Sequence, residues 1–200
     1  MRKVLLISIL ATLLFAIPVL AADTGVKYPT ANGVYSGSGF TNPNNAHATD
    51  NVYATVASTA DGTYYTTFTG LYAAIPAGAT IDGISVFSEG YTDGTIIING
   101  DTIRLGAYVS NDGGSSYSTA RNVFYAVDEP EAVKNHGGST QLWEKTWTKE
   151  SFTDANFRVA VSPSLISGGA TQLNLDSVRV QVYYTAAAGG AVRQSEYWWD

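Results

Sequence analysis

Hydrophobic and polar residues alternate along most of the chain after residue 50, with the period of two that is typical of β-strands. In the segment 102–109 the apolar side chains share one face, which comprises Ile103, Leu105, Ala107 and Val109. Arg104 and Tyr108 fall on the opposite face. Segments 157–161 and 178–184 repeat this pattern. Leu173 and Leu175 are in the opposite phase to Val178, which predicts a bulge or a strand start near Asp176-Ser177.

The segments between these strands have the composition of turns. Further strands are predicted at 52–58, 63–73, 81–89, 95–98, 117–127 and 142–147. Asn99-Gly100 is a strong β-hairpin signal, and only 148–152 favours a helical turn. Many short strands joined by turns at intervals of about 8–12 residues are typical of an all-β fold. We therefore predict a two-sheet antiparallel β-sandwich, jelly-roll-like because it has about eight strands.

The two ends differ from this pattern. Residues 1–22 combine a basic start with an apolar run that ends in small residues, which predicts a signal peptide; an uncleaved membrane anchor is the alternative. Residues 23–185 form the predicted sandwich domain, with no membrane span after cleavage. Residues 186–200 join an Ala/Gly linker to an aromatic tail. Tyr197, Trp198 and Trp199 of this tail either mediate self-association or fold back onto their own sandwich.

Composition and charge indicate the cellular compartment of the protein and limit its possible binding partners. The 200 residues include no cysteine, 13 tyrosines and 20 glycines, and only 14% are charged. Loss of the signal leaves nine basic residues against 17 acidic ones, a net charge of −8. The basic residues are scattered singly, whereas binding to nucleic acid or an anionic membrane needs them clustered. The sequence thus indicates a secreted or cell-surface protein and excludes nucleic acid as a partner.

One short segment resembles a known turn motif. The eight residues from Ser110 to Tyr117 are similar to the Asp box of sialidases and other secreted β proteins, Ser-x-Asp-x-Gly-x-x-aromatic. Ser116 and Tyr117 stand where Thr and Trp are commoner. The resemblance implies a hairpin in which Asp112 accepts hydrogen bonds from turn amides and the aromatic residue packs under the turn. A single copy implies neither a propeller fold nor sialidase activity.

A broader resemblance extends over most of the chain after the signal. The segments 42–54, 75–84, 142–148 and 154–157, with the final strand 178–184, look like a jelly-roll-type module. Such modules occur in secreted bacterial and phage-associated surface proteins. The resemblance implies the fold and an extracellular setting, and it carries no catalytic residues.

Two groups of residues are candidates for binding. Asparagine and aspartate side chains surround the first predicted strand, and Ca²⁺ prefers such oxygen ligands; the group comprises Asn42, Asn44, Asn45, Asp50 and Asp61. These residues are either a calcium site, with Asn44, Asn45 and Asp50 as its ligands, or plain turn formers. Trp143, Lys145 and Trp147 share one side of the predicted strand 142–147. They either form a platform for polysaccharide or cap the core.

The sequence offers little for catalysis. It contains no thiol, no nucleophile elbow and no zinc motif, and its two histidines lie in loops. Carboxylate pairs such as Glu89 with Asp93 are conceivable in a glycosidase. We therefore interpret the chain as a non-enzymatic structural or adhesive protein of the cell exterior that self-assembles into oligomers or filaments. The alternatives are a carbohydrate-binding module and, third, a small secreted glycoside hydrolase.

Overall fold

The structure is a computed structural model built almost entirely from β-strands. It describes residues 21–37, 39–57, 62–94, 102–127, 129–167 and 170–187. The ten strands are β1 (Ala21–Asp23), β2 (Ala31–Gly37), β3 (Ala54–Ala57), β4 (Gly62–Thr67), β5 (Thr80–Gly94), β6 (Thr102–Ser110), β7 (Arg121–Ala126), β8 (Ala132–Asn135), β9 (Arg158–Ser167) and β10 (Ala170–Thr185). Three single-turn helices lie in the described ranges, namely the 3₁₀ turns Pro43–Ala46 and Lys149–Phe152 and helix α1 (Leu71–Ala74).

The strands form two antiparallel sheets in jelly-roll order. Sheet 1 has the order β3-β10-β5-β8. The short strand β1 pairs with the last residues of β10, after the part of β10 that pairs with β3. Sheet 2 runs β2-β4-β9-β6-β7. When β3 to β10 are counted as strands one to eight, sheet 1 holds one, eight, three and six, and sheet 2 holds two, seven, four and five. This is the order of a jelly roll, with β2 added at one edge, and it confirms the predicted fold class.

The core lies between the sheets and follows the alternation seen in the sequence. Ile103, Leu105, Ala107 and Val109 of β6 are fully buried, as are Val178, Val180 and Val182 of β10. The pairing of β10 with β5 shifts register between Leu175 and Ser177. The predicted bulge at Asp176-Ser177 is therefore present, and it brings both halves of β10 into phase with the core.

Local backbone geometry explains where the predicted elements differ from the observed ones. The strand predicted over 63–73 ends at Thr67, because Gly70 adopts a left-handed conformation (φ 77°) that starts α1. The segment 142–147 is not a strand, since Trp143 and Glu144 both have positive φ angles. The helical turn predicted at 148–152 is confirmed as a 3₁₀ turn with a capping box between Thr148 and Ser151. The predicted strand 95–98 and its Asn99-Gly100 hairpin lie outside the described residues.

Candidate functional site

The predicted aromatic platform at 142–147 does not form, and this prediction is wrong. The side chains of Trp143 and Trp147 are only 1% and 8% exposed. Their Nε1–H groups donate to the carbonyl oxygens of Ile84 (2.9 Å) and Leu142 (2.7 Å). Because the segment turns instead of extending, the two indoles point into the core. The alternative interpretation, that the tryptophans cap the core, describes the structure.

Lys145, the third residue of that predicted platform, contacts a neighbouring turn. Its Nζ donates to Asn111 Oδ1 (3.4 Å) and Ser116 Oγ (3.0 Å). Lys145 and Trp147 line a cleft of about 430 Å³ together with residues 78–81 and 148–150. Since Trp147 is nearly buried, this cleft presents no open aromatic face.

The residues predicted to bind calcium are engaged in turns. Asn44 Oδ1 accepts a hydrogen bond from Asn32 (2.5 Å), and Asn45 Nδ2 donates to the carbonyl of Tyr53 (3.0 Å). Asp50 Oδ1 accepts from the amide of Val52 (3.1 Å). No three His, Asp or Glu side chains within the described ranges are grouped so as to hold a metal ion. Calcium binding at these residues stays a prediction, and Asp61 lies outside the described residues.

The predicted self-association tail, with Tyr197, Trp198 and Trp199, also lies outside the residues that the structure describes. Self-association through these residues stays a prediction. None of the helices in the described ranges has the length and hydropathy needed to cross a membrane.

A group of tyrosines converges on the outer face of sheet 2, the face that points away from the core. Tyr65 of β4 pairs with Ala160 of β9, and Tyr108 of β6 pairs with Ala160 from the other side. With strands about 4.8 Å apart, the two tyrosines stand about 10 Å from each other across a small residue. Tyr35 reaches this face from β2, at a register shift between Val34 and Ser36.

The fourth tyrosine, Tyr117, comes from the loop between β6 and β7. Its ring packs edge-on against Tyr35, with centroids 4.9 Å apart. Tyr35 nevertheless remains 54% exposed, whereas Ala160 beneath the rings is only 1% exposed. Burial raises the pKa of Tyr117 to about 12. Its hydroxyl therefore stays protonated and can donate a hydrogen bond at physiological pH.

The Tyr35–Tyr117 pair is the shared wall of two adjoining clefts, which we call the tyrosine clefts. The larger, about 260 Å³, is lined by Tyr35, Thr63, Tyr108, Tyr117, Ser118 and Ala160. The smaller, about 150 Å³, is lined by Tyr35, Tyr65, Gly113, Gly114, Tyr117 and Arg158. Both combine aromatic rings with hydroxyl groups or a guanidinium. This is the mixture found in small-molecule sites, where a few polar groups orient a ligand held on apolar surfaces.

The turn predicted from the Asp-box resemblance positions Tyr117. Asp112 accepts hydrogen bonds from Ser110 Oγ (2.7 Å), the Ser116 amide (3.0 Å) and Ser116 Oγ (2.5 Å). These bonds hold the pKa of Asp112 well below its usual range. Gly114 is at φ 92°, and a Cβ there would lie 3.1 Å from the Tyr117 hydroxyl. Tyr117 thus packs against the turn and lines the clefts at once.

We expect Asp112→Ala to lower the free energy of unfolding by about 1 kcal/mol, because the exposed turn loses hydrogen bonds that water partly replaces. Because the folded-state pKa of Asp112 is lowered, its contribution to stability is constant at neutral pH and is lost as the pH falls from about 4 through the folded-state pKa. Urea denaturation at pH 7 measures the effect. Asp112→Asn is the control, since its amide oxygen still accepts from Ser116. Equal losses in the two variants would contradict the proposed role of the turn hydrogen bonds.

A second polar feature lies on the outer face of sheet 1. Asp176 is 1% exposed, and its Oδ1 accepts from the amide of Asp50 (3.2 Å). Its Oδ2, like Oε1 of Glu131, is buried and has no hydrogen-bond partner among the described residues. Burial raises the pKa of both carboxyl groups. Asp176 and Glu89 further raise the pKa of Glu131, and Glu89 and Asp50 further raise that of Asp176.

These raised pKa values predict how stability depends on pH. A carboxyl group with a raised folded-state pKa binds more protons in the native than in the unfolded protein, so its contribution is lost as pH rises from about 4 through that pKa. We expect Asp176→Asn to remove part of this slope and to raise Tm at pH 7 by about 2–4 °C. Scanning calorimetry from pH 4 to pH 7 tests this, with the exposed Asp154→Asn as the control. An unchanged slope in Asp176→Asn would refute the assignment.

Comparisons with known proteins find a distant similarity in structure and none in sequence. No protein-family model and no curated protein matches the chain. Among solved structures, the CBM22-1 xylan-binding domain of Xyn10C from Paenibacillus barcinonensis matches with 9% identity and a TM-score of 0.32, over 84% of this chain and 95% of that one. TmCBM61 in complex with β-1,4-galactotriose matches with 12% identity and a TM-score of 0.31, over 82% and 88%.

A third match is Xylanase10C (mutant E385A) from Cellvibrio japonicus in complex with xylopentaose, with 11% identity and a TM-score of 0.34. It covers 84% of this chain but only 29% of the xylanase. Similarities at this distance do not transfer a ligand or an activity. The functional conclusions below therefore rest on the side chains of this chain.

Proposed function

We propose that this protein is a non-enzymatic carbohydrate-binding module of the cell exterior, which holds a polysaccharide on the tyrosine clefts. The observation that carries this proposal is the convergence of four tyrosines from separate parts of the chain on one sheet face. Tyr35, Tyr65, Tyr108 and Tyr117 surround the small side chain of Ala160. The structural or adhesive role with filament assembly stays a separate prediction.

The chemistry of the tyrosine clefts suits a sugar chain. A pyranose ring has an apolar face of C–H groups, which packs on an aromatic ring, and a rim of hydroxyl groups that need hydrogen-bond partners. Tyrosine supplies both, because its ring is apolar and its hydroxyl is polar. Thr63 and Ser118 add further hydroxyl groups to the larger cleft. The floor at Ala160 leaves room for a ring between the aromatic walls.

The described parts of the clefts lack the groups that hydrolysis requires. No carboxylate or imidazole is among the residues lining either one, whereas glycosidases act through paired carboxylates. Glu89, one candidate from the sequence, is ion-paired with Arg179 (3.0 Å) on sheet 1. His136 is buried between Ser88 Oγ and the Arg121 carbonyl (both 2.8 Å), and burial lowers its pKa to about 4. The site therefore supports binding without bond cleavage.

Affinity electrophoresis against a panel of soluble polysaccharides, followed by calorimetric titration, tests the proposal. We expect Tyr108→Ala and Tyr35→Ala each to weaken binding by about tenfold, which corresponds to about 1.4 kcal/mol. Tyr72→Ala is the matched control. Tyr72 is also an exposed tyrosine (41%), but it lies on α1, where it contacts Lys149.

Melting temperatures of the variants separate binding from folding. Tyr35 is exposed on an edge strand, so its loss leaves the core intact. Full binding by both cleft variants would show that the polysaccharide does not occupy the tyrosine clefts. A failure of the wild-type protein to bind any member of the panel would reject the proposed function itself.

A further inference from the structure

Charge is distributed unequally between the two sheets. The five strands of sheet 2 contain no aspartate or glutamate and three arginines. Arg104 and Arg158 lie on the outer face, whereas Arg121 faces inward over the buried Trp143 ring. The strands of sheet 1 contain five acidic residues and two basic ones. The whole chain has 17 acidic and 11 basic residues. A sheet without carboxylates in such an acidic protein marks a face that is compatible with an anionic ligand.

Arg158 places one of these charges inside the site. It lines the smaller tyrosine cleft with Tyr65 and Tyr117. Its Nη1 donates to the backbone carbonyls of Asp154 (2.6 Å) and Phe157 (2.8 Å), so neutral groups orient the guanidinium. The ion pairs within the described ranges join Lys134 to Glu129 and Arg179 to Glu89, and Arg158 is in neither.

The carboxylate closest in the chain to this cleft is already occupied by its own turn. Asp112 accepts from Ser110 and Ser116, and it does not line the cleft. The positive charge of Arg158 therefore lies beside the aromatic rings of a cleft whose lining residues include no carboxylate. An arginine next to a ring that positions a sugar can bind a carboxylate or a sulfate with two parallel hydrogen bonds.

Arg104 lies on the same outer face, toward the other end of β6. Arg158 pairs with Ser110 of β6, and Ser110 is six residues from Arg104. This separation is about 20 Å along the strand direction. The Arg104 Nη2 donates to Ser164 Oγ (3.3 Å), again a neutral partner. The tyrosine clefts thus have an arginine at one end and a second arginine further along the sheet.

Building on the proposed function, we propose that the polysaccharide bound by this face is anionic, with an acidic group on the sugar held by Arg158 while the ring rests against Tyr65 and Tyr117. Arg104 contacts a second acidic group further along the same polymer. A carboxylate on a uronic acid and a sulfate ester both supply the charge that the arginines require.

Calorimetric titration of the full chain with four polymers tests this inference. The polymers are polygalacturonate, its fully methyl-esterified form, neutral β-1,4-galactan and a sulfated galactan. Methyl esterification removes the charge and keeps the sugar backbone. We expect polygalacturonate to bind at least about tenfold more tightly than its ester. Tight binding of the sulfated galactan alone would also support an anionic ligand and would identify sulfate as its charged group.

Substitutions of single arginines test which positive charge binds the acidic group of the polymer. We expect Arg158→Gln to weaken polygalacturonate binding by about tenfold and to weaken binding of the ester clearly less, because only the acid offers a charge to the guanidinium. Arg104→Gln should act in the same direction with a smaller effect, and it provides a second test if Arg158→Gln unfolds. Lys149→Gln is the control, because it removes one positive charge beside Tyr72, away from this face.

The outcomes separate the two proposals. Binding of all four polymers with equal affinity would overturn the anionic ligand and leave carbohydrate binding standing. Equal weakening of polygalacturonate and ester binding in Arg158→Gln would also overturn it, since the arginine would then act on the shape of the cleft and not through charge. An absence of binding to all four polymers would overturn the inference and would count against the proposed function.

Discussion

Trp143→Ala is expected to lower the free energy of unfolding by about 3–5 kcal/mol, as large-to-small changes at buried aromatic positions do. The indole is 1% exposed, and its Nε1–H donates to the Ile84 carbonyl at 2.9 Å. The guanidinium of Arg121 lies 5.7 Å from the ring centroid. Truncation leaves a cavity and a cation without its ring, and it removes one of the two hydrogen bonds that the Ile84 carbonyl accepts, the other coming from the Gly138 amide (3.2 Å). Urea denaturation followed by circular dichroism measures the change.

Two further variants divide this loss into its parts. Trp143→Phe keeps most of the ring and removes the hydrogen bond, so it should cost about 1–2 kcal/mol. Leu142→Ala changes a neighbouring residue that is 40% exposed, and it should stay within about 0.5 kcal/mol of wild type. A Trp143→Ala loss no larger than that of Leu142→Ala would show that the indole is not part of the core.

Gly83→Ala is expected to destabilise the protein by about 2–3 kcal/mol or to prevent folding, because a Cβ at this position overlaps backbone atoms. It would lie 2.3 Å from the Ser139 carbonyl carbon and 2.4 Å from the Gly138 oxygen. Those contacts belong to the segment that pairs with β5 through Ile84, whose amide donates to the Gln141 carbonyl (3.0 Å). The alanine must therefore push this segment away from sheet 1.

Gly138→Ala is the matched control for this prediction, since a Cβ at Gly138 meets no atom within 4 Å. It should leave the midpoint of urea denaturation unchanged or raise it slightly, because alanine restricts the unfolded chain more than glycine does. Similar destabilisation by the two substitutions would mean that the close approach at Gly83 does not constrain the fold. Denaturation of both variants side by side decides the question.

The fold could be predicted from the sequence because its determinants are local and periodic. The alternation in 102–109 and 178–184 identifies the inward faces, and the phase change at Asp176-Ser177 identifies the bulge. The prediction failed at 142–147, where Trp143 and Glu144 adopt positive φ angles. Neither residue type favours that conformation, so local sequence gives no sign of the turn, and tertiary packing of the indole imposes it.

The tyrosine clefts could be predicted from the sequence only in part. The alternation places Tyr108 on the outer face, and the Asp-box resemblance singles out Tyr117. The convergence of these two with Tyr35 and Tyr65 depends on the register between β2, β4, β9 and β6, which joins residues far apart in the chain. Pairing register is set by long-range packing and is not encoded near any one tyrosine. The sequence instead suggested a polysaccharide platform at Trp143 and Trp147, which are buried in the structure.

Tyr35, which lines both tyrosine clefts, lies on β2, and β2 is not one of the eight strands of the jelly roll. The eight strands from β3 to β10 complete the jelly roll without β2, which among the described residues pairs with β4 alone and carries mainly exposed side chains. One wall of both clefts therefore stands on an appendage whose exchange or shortening leaves the sandwich complete. In the proposed carbohydrate-binding module, sequence changes confined to this edge strand would alter a wall of both clefts without altering the eight-stranded sandwich, so β2 is the place to redesign the proposed ligand preference.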